Sequence, residues 1–180
     1  MLIALPRRTS TGFTLVELLI TIVVLSILVA LGMPSFVQLL RNAEIRNAGE
    51  AITNGLQKAR AEAVSRNTTV QFVLGTGSNW TVSVVNPAST IESRTSSEGS
   101  QHVTITAVAA DLVTAATTAT FNNLGGVVTP NADGSAPLAQ VDLTSAGANQ
   151  NLRVTLGPGG GARLCVPPPY LAAGSSPRAC

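Results

Sequence analysis

Histidine occurs once in this chain, at His102, and cysteine only at Cys165 and Cys180. No CxxC or HxxxH spacing connects these residues, so a zinc site is not expected. Charged residues make up 11% of the sequence and aromatic residues 3%. So little charge, beside abundant Ala, Thr, Val, Gly and Asn, is unlike a disordered tail and fits a β-rich folded domain. Asp111, Asp133 and Asp142 are scattered without a paired-carboxylate pattern, and His102 in a strand context reads as a structural or surface histidine. No catalytic constellation emerges, and neither an enzyme nor a cofactor is expected. Gly157-Pro158-Gly159-Gly160-Gly161 follows a predicted strand, yet no lysine, serine or helix pattern comes after it, which argues against a phosphate loop. The formal charge of +2 rests on Arg7 and Arg8: without them Lys plus Arg falls from 11 to 9, equal to the 9 Asp plus Glu. A generally basic nucleic-acid surface is therefore not indicated.

What the chain does have is one long apolar run. A polar leader carrying Arg7 and Arg8 ends at Gly12, and Phe13-Thr14-Leu15-Val16-Glu17 opens a hydrocarbon-like stretch that continues to Met33. As a helix, those ~20 residues span about 30 Å, the thickness of a bilayer core. A carboxylate inside such a segment costs about 2.5–3.5 kcal/mol at mid-bilayer, so Glu17 is a functional residue in search of a partner. A secretory signal peptide is the first alternative, but its apolar region is normally about 7–15 residues and has no use for a carboxylate. A plain signal-anchor helix explains Arg7 and Arg8 as positive-inside charges and leaves Glu17 unexplained.

Gly-Phe-Thr-Leu-Val-Glu ahead of an apolar helix resembles the processing site of type IV pilins and type II secretion pseudopilins. The resemblance implies a prepilin peptidase that cuts between Gly12 and Phe13 and N-methylates Phe13. It implies insertion in the bacterial inner membrane with the head in the periplasm, then incorporation with other pilins or pseudopilins into a fibre. Glu17 is implied as the assembly carboxylate. The physics agrees: cleavage creates an ammonium at Phe13, methylation keeps its charge, and Glu17 of a neighbouring subunit can neutralise it. A buried unpaired charge is expensive, so that pairing checks register.

The resemblance divides the chain into a leader (1–12), a transmembrane or fibre-core helix (13–33), its amphipathic continuation (34–66) and a β-rich head (67–180). The fold class is α+β, a long N-terminal helix packed on the head. Pro34 interrupts the apolar run and is expected to kink a helix that continues as one rod to about Ser65. Beyond it, Ile45, Ala48, Ile52, Leu56, Ala59 and Ala63 recur at helical spacing and make a narrow, Ala-rich stripe suited to close packing on a sheet. Gly49 and Gly55 suggest local softness. Strands are expected at Thr69–Leu74 and Trp80–Val85 as a hairpin, then Val103–Thr106, Ala119–Asn122, Gly126–Thr129, Ala139–Thr144, Leu152–Leu156 and Arg163–Val166. Asn86–Ser100 reads as a polar loop, and the glycines at 157–161 as a flexible turn.

Thr120-Phe121-Asn122-Asn123-Leu124-Gly125, Leu152–Leu156, Arg163 and Cys165 resemble the GspH/FimT group of minor pilins and pseudopilins. The closing Pro177-Arg178-Ala179-Cys180 is similar to the tails of FimT- and FimU-like pilus subunits. In that exported setting, an even cysteine count favours a Cys165–Cys180 disulfide. It closes a loop of about 15 residues, worth about 3 kcal/mol in the chain-entropy model. FimT-like pilins are associated with DNA uptake through a Gly-Arg-x-Arg type motif. Here Gly161-Ala162-Arg163-Leu164 keeps one of its two arginines. Arg153, Arg163 and Arg178 follow the last acidic residue, Asp142, and are the candidate DNA contacts. Two classes of function compete: a structural subunit of a pilus or secretion pseudopilus, and a fibre-borne DNA-binding subunit.

Overall fold

The computed structural model describes residues 12–174 and 176–180. They form one helix, α1 (Leu15–Ser65), followed by eight strands. The chain divides into two compact units, Met1–Val37 and Gln38–Cys180. In the first, every described residue is exposed. The most apolar 18-residue window of α1 has a mean hydropathy of 2.8, with 0% of it buried. This is a helix long and apolar enough to cross a membrane. α1 runs unbroken through Pro34, as the single rod expected from Phe13 to about Ser65 requires. One missing backbone hydrogen bond does not end a helix flanked on both sides by strong helix formers such as Leu31, Leu39 and Leu40.

In the second unit, α1 buries Ile45, Ala48, Ile52, Leu56, Ala59 and Ala63, the row legible in the sequence. Two four-stranded antiparallel sheets receive it. The first runs β3-β2-β1-β5, built from β1 (Val70–Leu74), β2 (Trp80–Val84), β3 (Ser89–Arg94) and β5 (Thr118–Phe121). The second runs β4-β6-β7-β8, built from β4 (Thr104–Val108), β6 (Gln140–Thr144), β7 (Leu152–Leu156) and β8 (Ala162–Cys165). β1 and β2 alternate buried and half-buried residues, the pattern of strands with one face on a core. Phe72, Val82, Phe121, Leu143 and Val154 meet the helix row in one cluster.

At Gly55 the helix lies close against the first sheet. A Cβ there would lie 2.7 Å from Phe72 Cε2 and 3.2 Å from the Trp80 ring. The glycine admits the aromatic pair, so it is a packing contact where the sequence suggested softness.

Two strand expectations need correction. Ser89–Arg94, expected as polar loop, is an edge strand with a register shift opposite Val82 and Ser83. It buries almost nothing, so no hydrophobic alternation announces it. Gly126–Thr129, expected as a strand, makes only an isolated bridge between Val127 and Phe121. The free edge of β5 is closed by single backbone bonds, the Val128 N–H to the Thr120 carbonyl and the Leu138 N–H to the Thr118 carbonyl, both at 2.8 Å, together with the buried Asn131. Its Oδ1 accepts the Thr120 N–H at 3.0 Å, and its Nδ2 donates to the Thr118 carbonyl at 3.0 Å. A side-chain amide thus stands where a neighbouring strand would pair. The glycine turn after β7 is anchored rather than free: the Val127 N–H donates to the Pro158 carbonyl at 2.9 Å. Gly160, at φ 77°, comes so near Gly125 that a Cβ would sit 2.0 Å from that carbonyl oxygen.

Candidate functional site

The leader expected at 1–12 lies outside the described residues except for Gly12. Gly12 and Phe13 precede the helix in non-helical conformation, and Phe13 is 78% exposed. A Cβ on Gly12 would meet nothing within 4 Å. No described residue therefore demands glycine at this position.

Thr14 caps α1: its Oγ1 accepts the Glu17 N–H at 3.2 Å, and its carbonyl accepts the Leu18 N–H at 3.1 Å. Thr14-x-x-Glu17 is the spacing of a capping box, a signal present in the sequence but not used in reading it. Within the apolar stretch, Thr21 Oγ1 donates to the Leu18 carbonyl at 2.8 Å, and Ser26 Oγ to the Val23 carbonyl at 2.7 Å. Both hydroxyls are satisfied inside the helix, as a bilayer requires. Glu17 differs: its carboxylate is exposed and has no side-chain partner among the described residues. It also occupies the first turn, where the helix dipole favours negative charge.

At the other end of the chain, Cys165 and Cys180 form a disulfide with Cα atoms 5.1 Å apart. The tail docks beside β8. The Val166 N–H donates to the Arg178 carbonyl at 2.7 Å, and the Cys180 N–H to the Val166 carbonyl at 3.1 Å.

The three candidate DNA contacts fare differently. Arg153 stands opposite Asp142 across β6 and β7, and its Nε and one terminal NH2 donate to the carboxylate at 2.6 and 3.1 Å. This bidentate pair occupies the guanidinium of Arg153, one of the candidate DNA contacts. A register pairing between strands cannot be read from the spacing of the two residues. Arg163 donates to the carbonyls of Pro177 and Ala179, both at 2.7 Å. It keeps its charge but serves the tail. Arg178 alone is exposed with its guanidinium unpaired among the described residues.

His102 lies with its Nδ1 3.0 Å from Glu44 of α1, and Arg41 lies 3.2 Å from the same carboxylate. Burial pushes the Glu44 pKa up, but the hydrogen bonds from His102 and Arg41 prevail and hold it below the usual carboxylate range. No group of three or more metal-ligating side chains occurs among the described residues.

Residues 48–166 match the family described as Type II transport protein GspH, a stretch running from the buried half of α1 to the end of β8. The chain belongs to the GspH family. Residues 7–33 match the prokaryotic N-terminal methylation motif, which contains Gly12, Phe13 and Glu17. Two crystal structures of the type IV minor pilin FimU of Pseudomonas aeruginosa (strain PAO1) are similar, at 18% and 19% identity and TM-score 0.48. The similarity covers 66% and 72% of this chain and 90% and 92% of those chains. No curated protein sequence matches significantly. As a GspH-family chain with the methylation motif, the protein is a pilin- or pseudopilin-like subunit carrying a membrane-length apolar helix.

Proposed function

We propose that this chain is a minor pilin, a structural subunit that waits in the inner membrane with its head in the periplasm and is then built into a type IV pilus. The observation that carries the reading is the unpartnered Glu17 carboxylate on an unburied apolar helix within the methylation motif. Prepilin peptidase cuts between Gly12 and Phe13 and methylates the new Phe13 amine. In the fibre that ammonium pairs with Glu17 of a neighbouring subunit, and the apolar helices bury one another. Because breaking one partner of a buried ion pair costs about 3–5 kcal/mol, Glu17→Ala is expected to cut incorporation into sheared fibres more than about tenfold. The variant head should remain folded and membrane-anchored. Mass spectrometry of membrane-extracted protein should find chains that begin at N-methylated Phe13. An intact Met1, a first residue other than Phe13, or undiminished incorporation of the variant would overturn the reading.

A secretion pseudopilin is the second reading, supported by the family's description as a type II transport protein. Deleting the gene distinguishes them: loss of surface pili supports the first, and loss of exoprotein secretion with pili intact supports the second.

A further inference from the structure

A groove of about 420 Å³ opens beside the docked tail, and the assembly role does not use it. Leu39 and Ala43 of α1, Leu152 of β7 and Leu164 of β8 line its apolar floor, while Arg46 and Arg178 stand in its wall. No carboxylate lines it. Arg178 is held in place by its own carbonyl, which accepts the Val166 N–H at 2.7 Å, and by the neighbouring disulfide. Its guanidinium has no partner among the described residues. Arg46 is paired with Glu50 at 2.9 Å, but its side chain is 70% exposed. A surface pair of this kind is worth about 0–1 kcal/mol and yields readily to a stronger anion.

An apolar floor under two guanidiniums is complementary to an amphiphile with an aliphatic chain and an anionic head. Leu39, at the edge of this floor, is an exposed apolar side chain. Leu39 also follows the last residue of the apolar run, Met33, by only about six residues, at most about 22 Å of chain by any path. The groove is therefore tethered within reach of the bilayer surface whenever that run is inserted. We propose that it seats an anionic phospholipid, with the phosphate on Arg178 and Arg46 and an acyl chain along Leu39, Ala43, Leu152 and Leu164. This rests on the membrane-inserted reading of the chain.

The test uses full-length mature protein in nanodiscs of phosphatidylglycerol or phosphatidylcholine, each doped with its own photoreactive-acyl analogue, with adducts mapped by mass spectrometry. Adducts on residues 13–33 are expected with both lipids, and adducts on the groove residues with phosphatidylglycerol. Arg46→Ala plus Arg178→Ala should lower the groove adducts about tenfold, as for loss of one charge-assisted hydrogen bond, and leave those on 13–33 unchanged. Ala43→Trp, which fills the groove at an exposed position with both arginines kept, should do the same. Groove labelling that is equal with the two lipids, indifferent to the variants or absent overturns the lipid proposal alone. Crosslinks from the groove to a second copy of the chain would assign it to a neighbouring subunit instead. Absence of adducts on 13–33 would overturn membrane insertion itself, and the proposal with it.

Discussion

Glu17 stands out because its polar neighbours in the apolar stretch are all accounted for. Thr14 caps the helix, and Thr21 and Ser26 bond back to carbonyls one turn earlier. Glu44 shows the opposite condition: a carboxylate whose partners, His102 and Arg41, are already assembled within the subunit. With its folded-state pKa lowered, Glu44 contributes stability that is present above its unfolded pKa and lost as pH falls through the folded value. Unfolding by urea at pH 7 should therefore find Glu44→Gln less stable than wild type. The two should converge only as pH falls through the folded-state pKa of Glu44, below the usual carboxylate range, where the wild-type carboxylate protonates. A difference that stays constant between neutral and acid pH would show that the Glu44 charge is not what the contact uses. Hydrogen exchange at residues 99–103 would report the same loosening locally, because Asn47 also reaches the Gly99 carbonyl there.

Among the elements, α1 meets the first sheet through Gly55, and a methyl group there tests that contact. Helix propensity favours alanine by about 1 kcal/mol, whereas forcing a carbon against a packed aromatic pair costs about 1–3 kcal/mol. Phe72 and Trp80 lie 5.8 Å apart between ring centroids and are both buried, so neither ring can simply retreat. Gly55→Ala is expected to destabilise by about 1 kcal/mol on balance, read from denaturant midpoints. A stabilised variant would restore the softness reading. The tail is a separate element held by several contacts. Cys180→Ser removes the covalent closure, worth up to about 3 kcal/mol, but leaves the Arg163 and Val166 hydrogen bonds in place. Limited proteolysis should cut the variant faster within residues 167–179, with the sheets intact. Adding Arg163→Ala should accelerate it further, and an unchanged cleavage rate would show that neither feature holds the tail.

For the molecule as a whole, Arg7 and Arg8 account for the net charge, and without them 9 basic stand against 9 acidic side chains. Asp142 then absorbs Arg153, and Arg163 is committed to tail carbonyls. Duplex DNA titrated against the protein at low salt is expected to show little binding; strong, steeply salt-dependent binding would favour the DNA-binding reading. Some features of this protein belong to the sequence alone, because they depend on local order along the chain. The N-terminal methylation motif that includes Gly12 and Phe13, the single carboxylate in a membrane-length run, and the spaced row from Ile45 to Ala63 are of that kind. So are the β1–β2 hairpin and the strands whose inward faces alternate. Other features come from residues distant in sequence. The exposed strand β3 exists because β2 offers it an edge, and Asn131 helps to close β5 without any hydrophobic signature. The pairing of Asp142 with Arg153 follows from β-sheet register, which long-range packing sets. That is why charge could be counted from the sequence, while which arginines remain free was decided only when the strands were brought side by side.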